Sequence, residues 1–190
     1  MNGTTLILGI GNLLWADEGF GVRVVEALHR RYTFPTGVEL MDGGTQGLYL
    51  VQYVESADRL LVFDAVDYGD PPGTLRLVRN DEVPRFMGVK KMSLHQTGFQ
   101  EVIAAAALLG GGPREMALVG VQAEELDDWG GSLRDSVRAC IEPAIAQGLA
   151  VLAEWGIVAT PRLTPLPPGD GLLGHDLDLA GYERRLQPCA

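Results

Sequence analysis

Thr4-Thr5-Leu6-Ile7-Leu8-Gly9-Ile10-Gly11-Asn12 decides the fold class. Thr4 to Leu8 is β-branched and apolar without alternation, which is how a strand covered on both faces reads, and Gly9-Ile10-Gly11-Asn12 stops it. Just downstream, Phe20, Val24, Val25, Leu28 and Tyr32 recur on one face at helical spacing. Glu26 and Arg30 stand four residues apart on that helix and are expected to pair. Pro35 and Gly37 end it. A second strand follows at Val38 to Met41, closed by Asp42-Gly43-Gly44. Leu48 to Val54 reads as a helix, and Leu60 to Phe63 as a third strand running into Asp64. Strand, helix, strand, helix, strand is the pattern of right-handed βαβ units.

Further along, Asp70-Pro71-Pro72-Gly73 marks a turn, and the alternating Thr74 to Val78 suits an edge strand. Ser93-Leu94-His95-Gln96 fits an S-x-x-Q capping box ahead of the apolar run Val102 to Leu109. Met116 to Val121 is another buried strand. A long helix is expected from Ser132 to about Trp155, kinked or split by Pro143. The expected architecture is α/β: a three-layer α/β/α domain over residues 1–159, with a mainly parallel five-stranded sheet and one antiparallel edge strand. Residues 160–190, crowded with proline and glycine, read as a tail, partly extended and partly disordered.

The 190 residues carry 15 Lys and Arg against 25 Asp and Glu, a formal charge of −10. An acidic surface repels phosphate backbones and anionic lipid, which argues against nucleic acid or a membrane surface as partner. Cys140 and Cys189 are too few for a disulfide framework or a cysteine zinc site and suit a reducing cytoplasm. Neither a signal peptide nor a membrane span is expected.

In an open parallel sheet, ligands bind beyond the carboxyl ends of the strands. Four polar elements converge there: the loop with Asn12, Asp17 and Glu18, the Asp42-Gly43-Gly44 turn, Asp64, and the segment leading to His95. Glu18, Asp64 and His95 have the donors to offer a divalent metal two oxygens and one nitrogen, leaving positions open for substrate or water. In the first helical turn, His95 should stay neutral near pH 7, because the helix dipole disfavours imidazolium. The same residues have ordinary structural uses as caps or loop hydrogen bonds, and Asp17 and Asp67 compete for the two acidic positions. The Gly9-x-Gly11 pair invites a dinucleotide reading, but Leu14 stands where the fingerprint needs a third glycine. No G-x-S-x-G or H-E-x-x-H occurs. Trp15 and Trp129 are candidates either for cleft walls or for core packing. Lys90 and Lys91, just before the histidine motif, read as a solvated loop or as substrate contacts.

The run Ile7-Leu8-Gly9-Ile10-Gly11-Asn12-Leu13-Leu14, then Asp17-Glu18-Gly19 and Gly21-Val22-Arg23, resembles the opening of the hydrogenase maturation endopeptidases of [NiFe]-hydrogenases. Asp42-Gly43-Gly44-Thr45, Leu61-Val62-Phe63-Asp64-Ala65, Ser93-Leu94-His95-Gln96-x-Gly98, Leu118-Val119-Gly120-Val121-Gln122 and Ile141-Glu142-Pro143-Ala144 continue the likeness in order, over about residues 4–158, nearest to the uptake-hydrogenase subgroup. The resemblance implies a peptidase that removes the C-terminal extension of the hydrogenase large-subunit precursor after nickel insertion. It implies Glu18, Asp64 and His95 as metal-binding residues and Asp42 as a further acid of the same cleft. The metal would be nickel carried by the precursor, with other divalent ions such as cadmium or zinc able to take the site in vitro. A cytoplasmic monomer is expected. Two mechanisms stay open: metal assistance to hydrolysis, favoured here because no nucleophile is well placed, or metal as positioning device with Asp42 as base. A non-catalytic checkpoint that binds the nickel-loaded large subunit is the rival reading, and a nucleotide-dependent enzyme a third.

Overall fold

The computed structural model describes residues 3–87 and 94–186, without the side chains of residues 86, 87, 94–98 and 186. In chain order the strands are β1 (Thr5–Ile10), β2 (Tyr32–Thr33), β3 (Val38–Gly44), β4 (Arg59–Val66), β5 (Leu75–Arg79), β6 (Glu115–Gln122) and β7 (Thr160–Pro161). The helices are α1 (Phe20–Arg31), α2 (Val51–Ser56), α3 (Glu82–Met87), α4 (Leu94–Leu108), α5 (Asp135–Arg138), α6 (Ile141–Glu154) and α7 (Leu179–Leu186). Two short 3₁₀ turns, Ala16–Gly19 and Gly47–Leu50, precede α1 and α2.

Five strands form one sheet in the order β3-β1-β4-β6-β5. All neighbours are parallel except β5, which lies antiparallel on β6 at the edge. The α/β/α expectation is met, antiparallel edge included. Alternation along the central strands divides the apolar side chains between two cores. Ile7, Leu61, Phe63 and Val119 face α1 and α6. Leu6, Leu8, Leu60, Val62 and Leu118 face the layer containing Val54, Val83, Phe99, Val102 and Ala106. Each central strand is therefore buried on both sides, which is why its sequence shows no alternation.

Glycine sets the closeness of the first layer. A Cβ on Gly21 would stand 2.1 Å from the Phe63 carbonyl oxygen and 2.4 Å from that of Ile10. Only a residue without a side chain lets α1 lie this near β1 and β4. The helix expected from Ser132 is two: α5 ends at Arg138 and α6 starts at Ile141, placing Pro143 in a first turn, where its missing N–H costs nothing. By length and composition the stretch 135–154 is apolar enough to cross a membrane; here Val137, Ile141, Ala144, Ile145, Val151 and Leu152 are core residues.

The C-terminal segment corrects the expectation of partial disorder over its described part, residues 160–186. β7 pairs antiparallel with β2, at the end of α1. Glu26, 5% exposed, accepts the backbone N–H groups of Leu172 (2.8 Å) and Leu173 (3.1 Å). Arg30 donates to the Leu166 carbonyl at 2.8 Å, and Arg23 donates to that of Leu177. The i,i+4 pairing expected of Glu26 and Arg30 is thus not what these groups do; both hold the returning chain. Buried Asp178 heads α7 by accepting the Gly181 N–H at 2.9 Å, and Glu183 takes Ser132 Oγ (2.7 Å) and the Arg138 guanidinium. Hydrogen bonds to charged groups contribute about 1.5–3 kcal/mol each, so this set offsets a substantial part of the cost of ordering the segment.

Candidate active site

The site lies where the parallel strands end. After β1 the chain reverses at Gly11, whose φ is +134°. A Cβ there would fall 1.7 Å from the carbonyl oxygen of Glu18, so glycine is required by the loop's own backbone. That accounts for Gly11 without a nucleotide. Asn12 Oδ1 accepts the Leu14 N–H at 3.0 Å, and Trp15 N–H reaches Asn12 O at 3.1 Å. Ala16 adopts a φ of 33°, uncommon for a residue with a side chain, and opens the turn that carries Asp17 and Glu18.

These two neighbours have different fates. Asp17 is fully buried and accepts three backbone N–H groups: Glu124 (2.9 Å) and Glu125 (2.8 Å) on Oδ2, and Arg134 (2.7 Å) on Oδ1. It clamps the loop after β1 to the loop after β6 and is committed to that work. Glu18, 8% exposed, sits on the same turn, which packs against β4.

Asp64 occupies the carboxyl end of β4 and is fully buried. By alternation it faces the same way as Leu60 and Val62, toward the layer that holds α4. Its register partner on β6 is Gly120. The carboxylate is felt by Tyr68, whose phenol is pushed up by burial first and by Asp64 second, with Arg76 opposing. Asp67, the competitor, belongs to the loop instead. Its Oδ1 accepts Gly69 N–H (3.1 Å) and Gln122 Nε2 (2.9 Å). Gln122 in turn accepts the Tyr68 N–H at 2.8 Å, so one amide at the end of β6 fastens the loop that follows Asp64. Its place at the end of an apolar strand was the only sequence sign of that role.

His95 is the second residue of α4; its side chain, like Ser93, Lys90 and Lys91, lies outside the described residues. The helix still fixes which end of the sheet its backbone occupies. α4 is connected to β6 through Gly110–Arg114, and Arg114 N–H donates to Asp58 O, just before β4 begins. The C-terminal end of α4 is therefore at the amino edge of the sheet. Fifteen residues rise about 22 Å, so its first turn stands toward the carboxyl edge of the sheet. Among the described side chains no group of three His, Cys, Asp or Glu comes together.

Asp42 ends β3 in register with Gly9. Its Oδ1 accepts the Gly44 N–H at 2.8 Å. Burial raises its pKa and nearby Glu26 adds to the rise, while the Gly44 N–H and Arg23 pull it down. The carboxyl lines a groove of about 220 Å³ together with Leu13, Leu14, Thr45 and Leu177. That is smaller than pockets that take cofactors, which start at roughly 300 Å³. Cys140 hydrogen-bonds the Gly73 and Ser136 carbonyls, and burial pushes its thiol up, so it is no nucleophile. Trp15 and Trp129 meet edge to face at 5.1 Å; with Trp129 62% exposed, the pair is a surface feature, not core.

Against known proteins, the family model HycI, hydrogenase maturation protease, matches residues 22–151. This chain belongs to that family. It is therefore a peptidase of hydrogenase maturation. It is 62% identical to HupD of Bradyrhizobium diazoefficiens over 180 residues, covering 95% of this chain and 94% of the relative. It is 44% identical to the hydrogenase 2 maturation protease of Escherichia coli, over 83% of this chain and 95% of that one. The solved structure of the E. coli maturating endopeptidase HybD superposes with a TM-score of 0.79 at 42% identity, covering 84% of this chain and 98% of that one.

These spans revise the reach of the likeness. A match over 95% of the peptidase takes in most of residues 160–190, beyond the 4–158 that motifs alone support. The HybD structure, by contrast, is almost wholly covered by 84% of this chain. Leu177, which sequence reasoning passed over, and Arg23, quoted there only as part of a motif, belong to the contact between α1 and the C-terminal segment.

Proposed function

We propose that this peptidase removes the C-terminal extension of the [NiFe]-hydrogenase large-subunit precursor once nickel has been inserted. The observation that carries the reading is placement: buried Glu18 lies on the turn after β1 and buried Asp64 at the carboxyl end of β4, the edge toward which α4 begins, with His95 as its second residue. Acids held at a low-dielectric edge favour a cation that meets them there. In this reading Glu18, Asp64 and His95 grip the nickel that the precursor brings as part of the substrate. A mixed carboxylate and imidazole set suits such an ion. The nickel then reports that loading is complete and lends Lewis acidity at the scissile carbonyl. Hydrolysis proceeds by water, without a covalent intermediate. Asp42, its pKa raised by burial, is the candidate base, since a base works best with a pKa moved toward the working pH. The reaction is assigned to the cytoplasm and to a monomer, in keeping with the acidic charge of −10 and the two cysteines.

Purified protein incubated with nickel-loaded precursor tests this. A shortened large subunit, absent with nickel-free precursor, is the expected result. A stable complex without shortening would favour the checkpoint role instead, and equal cutting of both precursors would remove nickel from the reading.

A further inference from the structure

The groove beside Asp42 has walls from two distant parts of the chain. Leu13, Leu14, Gly44 and Thr45 come from the loops after β1 and β3, and Leu177 comes from the C-terminal segment. Leu177 is 41% exposed, an apolar side chain half open to solvent at the rim of an otherwise polar turn. Its backbone is fixed from two sides. Its N–H donates to Gly174 O at 2.8 Å, and its carbonyl accepts from Arg23, which also lies 5.4 Å over the Tyr182 ring. Arg23 is itself buried in α1, so the Leu177 backbone is tied to the first helix, and Leu177 lines the same groove as the candidate base Asp42.

We infer that Leu177 is a specificity-determining wall of the peptidase: the groove it closes with Leu13 and Leu14 receives one large apolar side chain of the precursor polypeptide next to the bond being cut. Three observations support a polypeptide side chain as the occupant. The enzyme's substrate is a polypeptide. The space of about 220 Å³ suits a side chain and is too small for a cofactor. And the groove is continuous with Asp42, so whatever fills it lies beside the proposed chemistry.

The inference rests on the proposed cleavage, and its test separates the two. Binding of the uncleaved precursor and the cleavage parameters are measured for the full chain and for Leu177→Ala, Leu177→Asp and Leu177→Met. Loss of a leucine wall should weaken precursor binding and raise KM about tenfold in Leu177→Ala, and more in Leu177→Asp. Leu177→Met, similar in volume, should restore both, with kcat within about twofold throughout. Thermal melts of the variants should coincide, because the side chain is half exposed. Unchanged affinity in both Leu177→Ala and Leu177→Asp overturns the inference. Absence of cleavage by the unsubstituted protein would refute the proposed function, while the binding series would still judge the groove.

Discussion

Asp17 and Glu18 are adjacent acids on one turn, and exchanging each for its amide should give opposite outcomes. Asp17→Asn keeps the size but removes the charge. One amide oxygen can still serve Glu124 and Glu125, whose hydrogen bonds are 2.9 and 2.8 Å long, while the amide NH₂ is turned against the Arg134 N–H, now 2.7 Å from Oδ1. A buried donor left unmet costs about 1–3 kcal/mol, and loss of charge assistance at the other two about 0.5–1 kcal/mol each. The sum, about 3 kcal/mol, is a large share of a typical domain's stability. For a chain of this size it lowers Tm by about 6–12 °C. Urea unfolding and a thermal scan measure it. Glu18→Gln should stop precursor cleavage in protein that still shows a cooperative unfolding transition. A change under about 1 kcal/mol for Asp17→Asn would refute the clamp. Normal cleavage by Glu18→Gln would remove that residue from the metal-gripping set.

His95→Ala should abolish cleavage with Tm unchanged; retained cleavage takes His95 out of the site. Gly21→Ala puts a methyl 2.1 Å from the Phe63 carbonyl oxygen, backbone that cannot yield, and should cost over about 3 kcal/mol in urea unfolding. Asp42 has a folded pKa above its unfolded value, so between the two the native state holds more protons and stability falls as pH rises through that window. Asp42→Asn should therefore be at least as stable as the parent at pH 7 in urea titration, yet slow in cleavage. In the unsubstituted enzyme, the acid limb of kcat/KM should lie above the ordinary aspartate range, and a limb at or below that range would exclude Asp42 as the base.

The sheet was legible because its strands are buried on both faces. Thr4 to Leu8 and Met116 to Val121 could form little else, and the alternating Thr74 to Val78 marked the edge. Pro143 announced the break between α5 and α6. The acids were legible only as a set. Seeing that Asp17 serves the fold takes the three N–H donors that converge on it from residues 124–134, over a hundred positions away. Local spacing likewise suggested a Glu26–Arg30 pair, whereas each side chain holds backbone 136 or more residues further on. The same blindness made the C-terminal segment look loose. Its proline and glycine are visible in composition, but the polar stripe of α1 that receives it looks like any solvated helix face.

The glycine contact between α1 and the sheet bears on how the enzyme meets its client. With Gly21 seated on the carbonyls of Phe63 and Ile10, and Asp17 bound to the far loop, the acidic turn is braced at both ends before any client arrives. Its ordering entropy is settled during folding and need not be drawn from each encounter. Such a bracket meets its substrate by matching it rather than by wrapping around it, so a client of the wrong shape finds no pliable acid loop ready to reshape itself to the misfit.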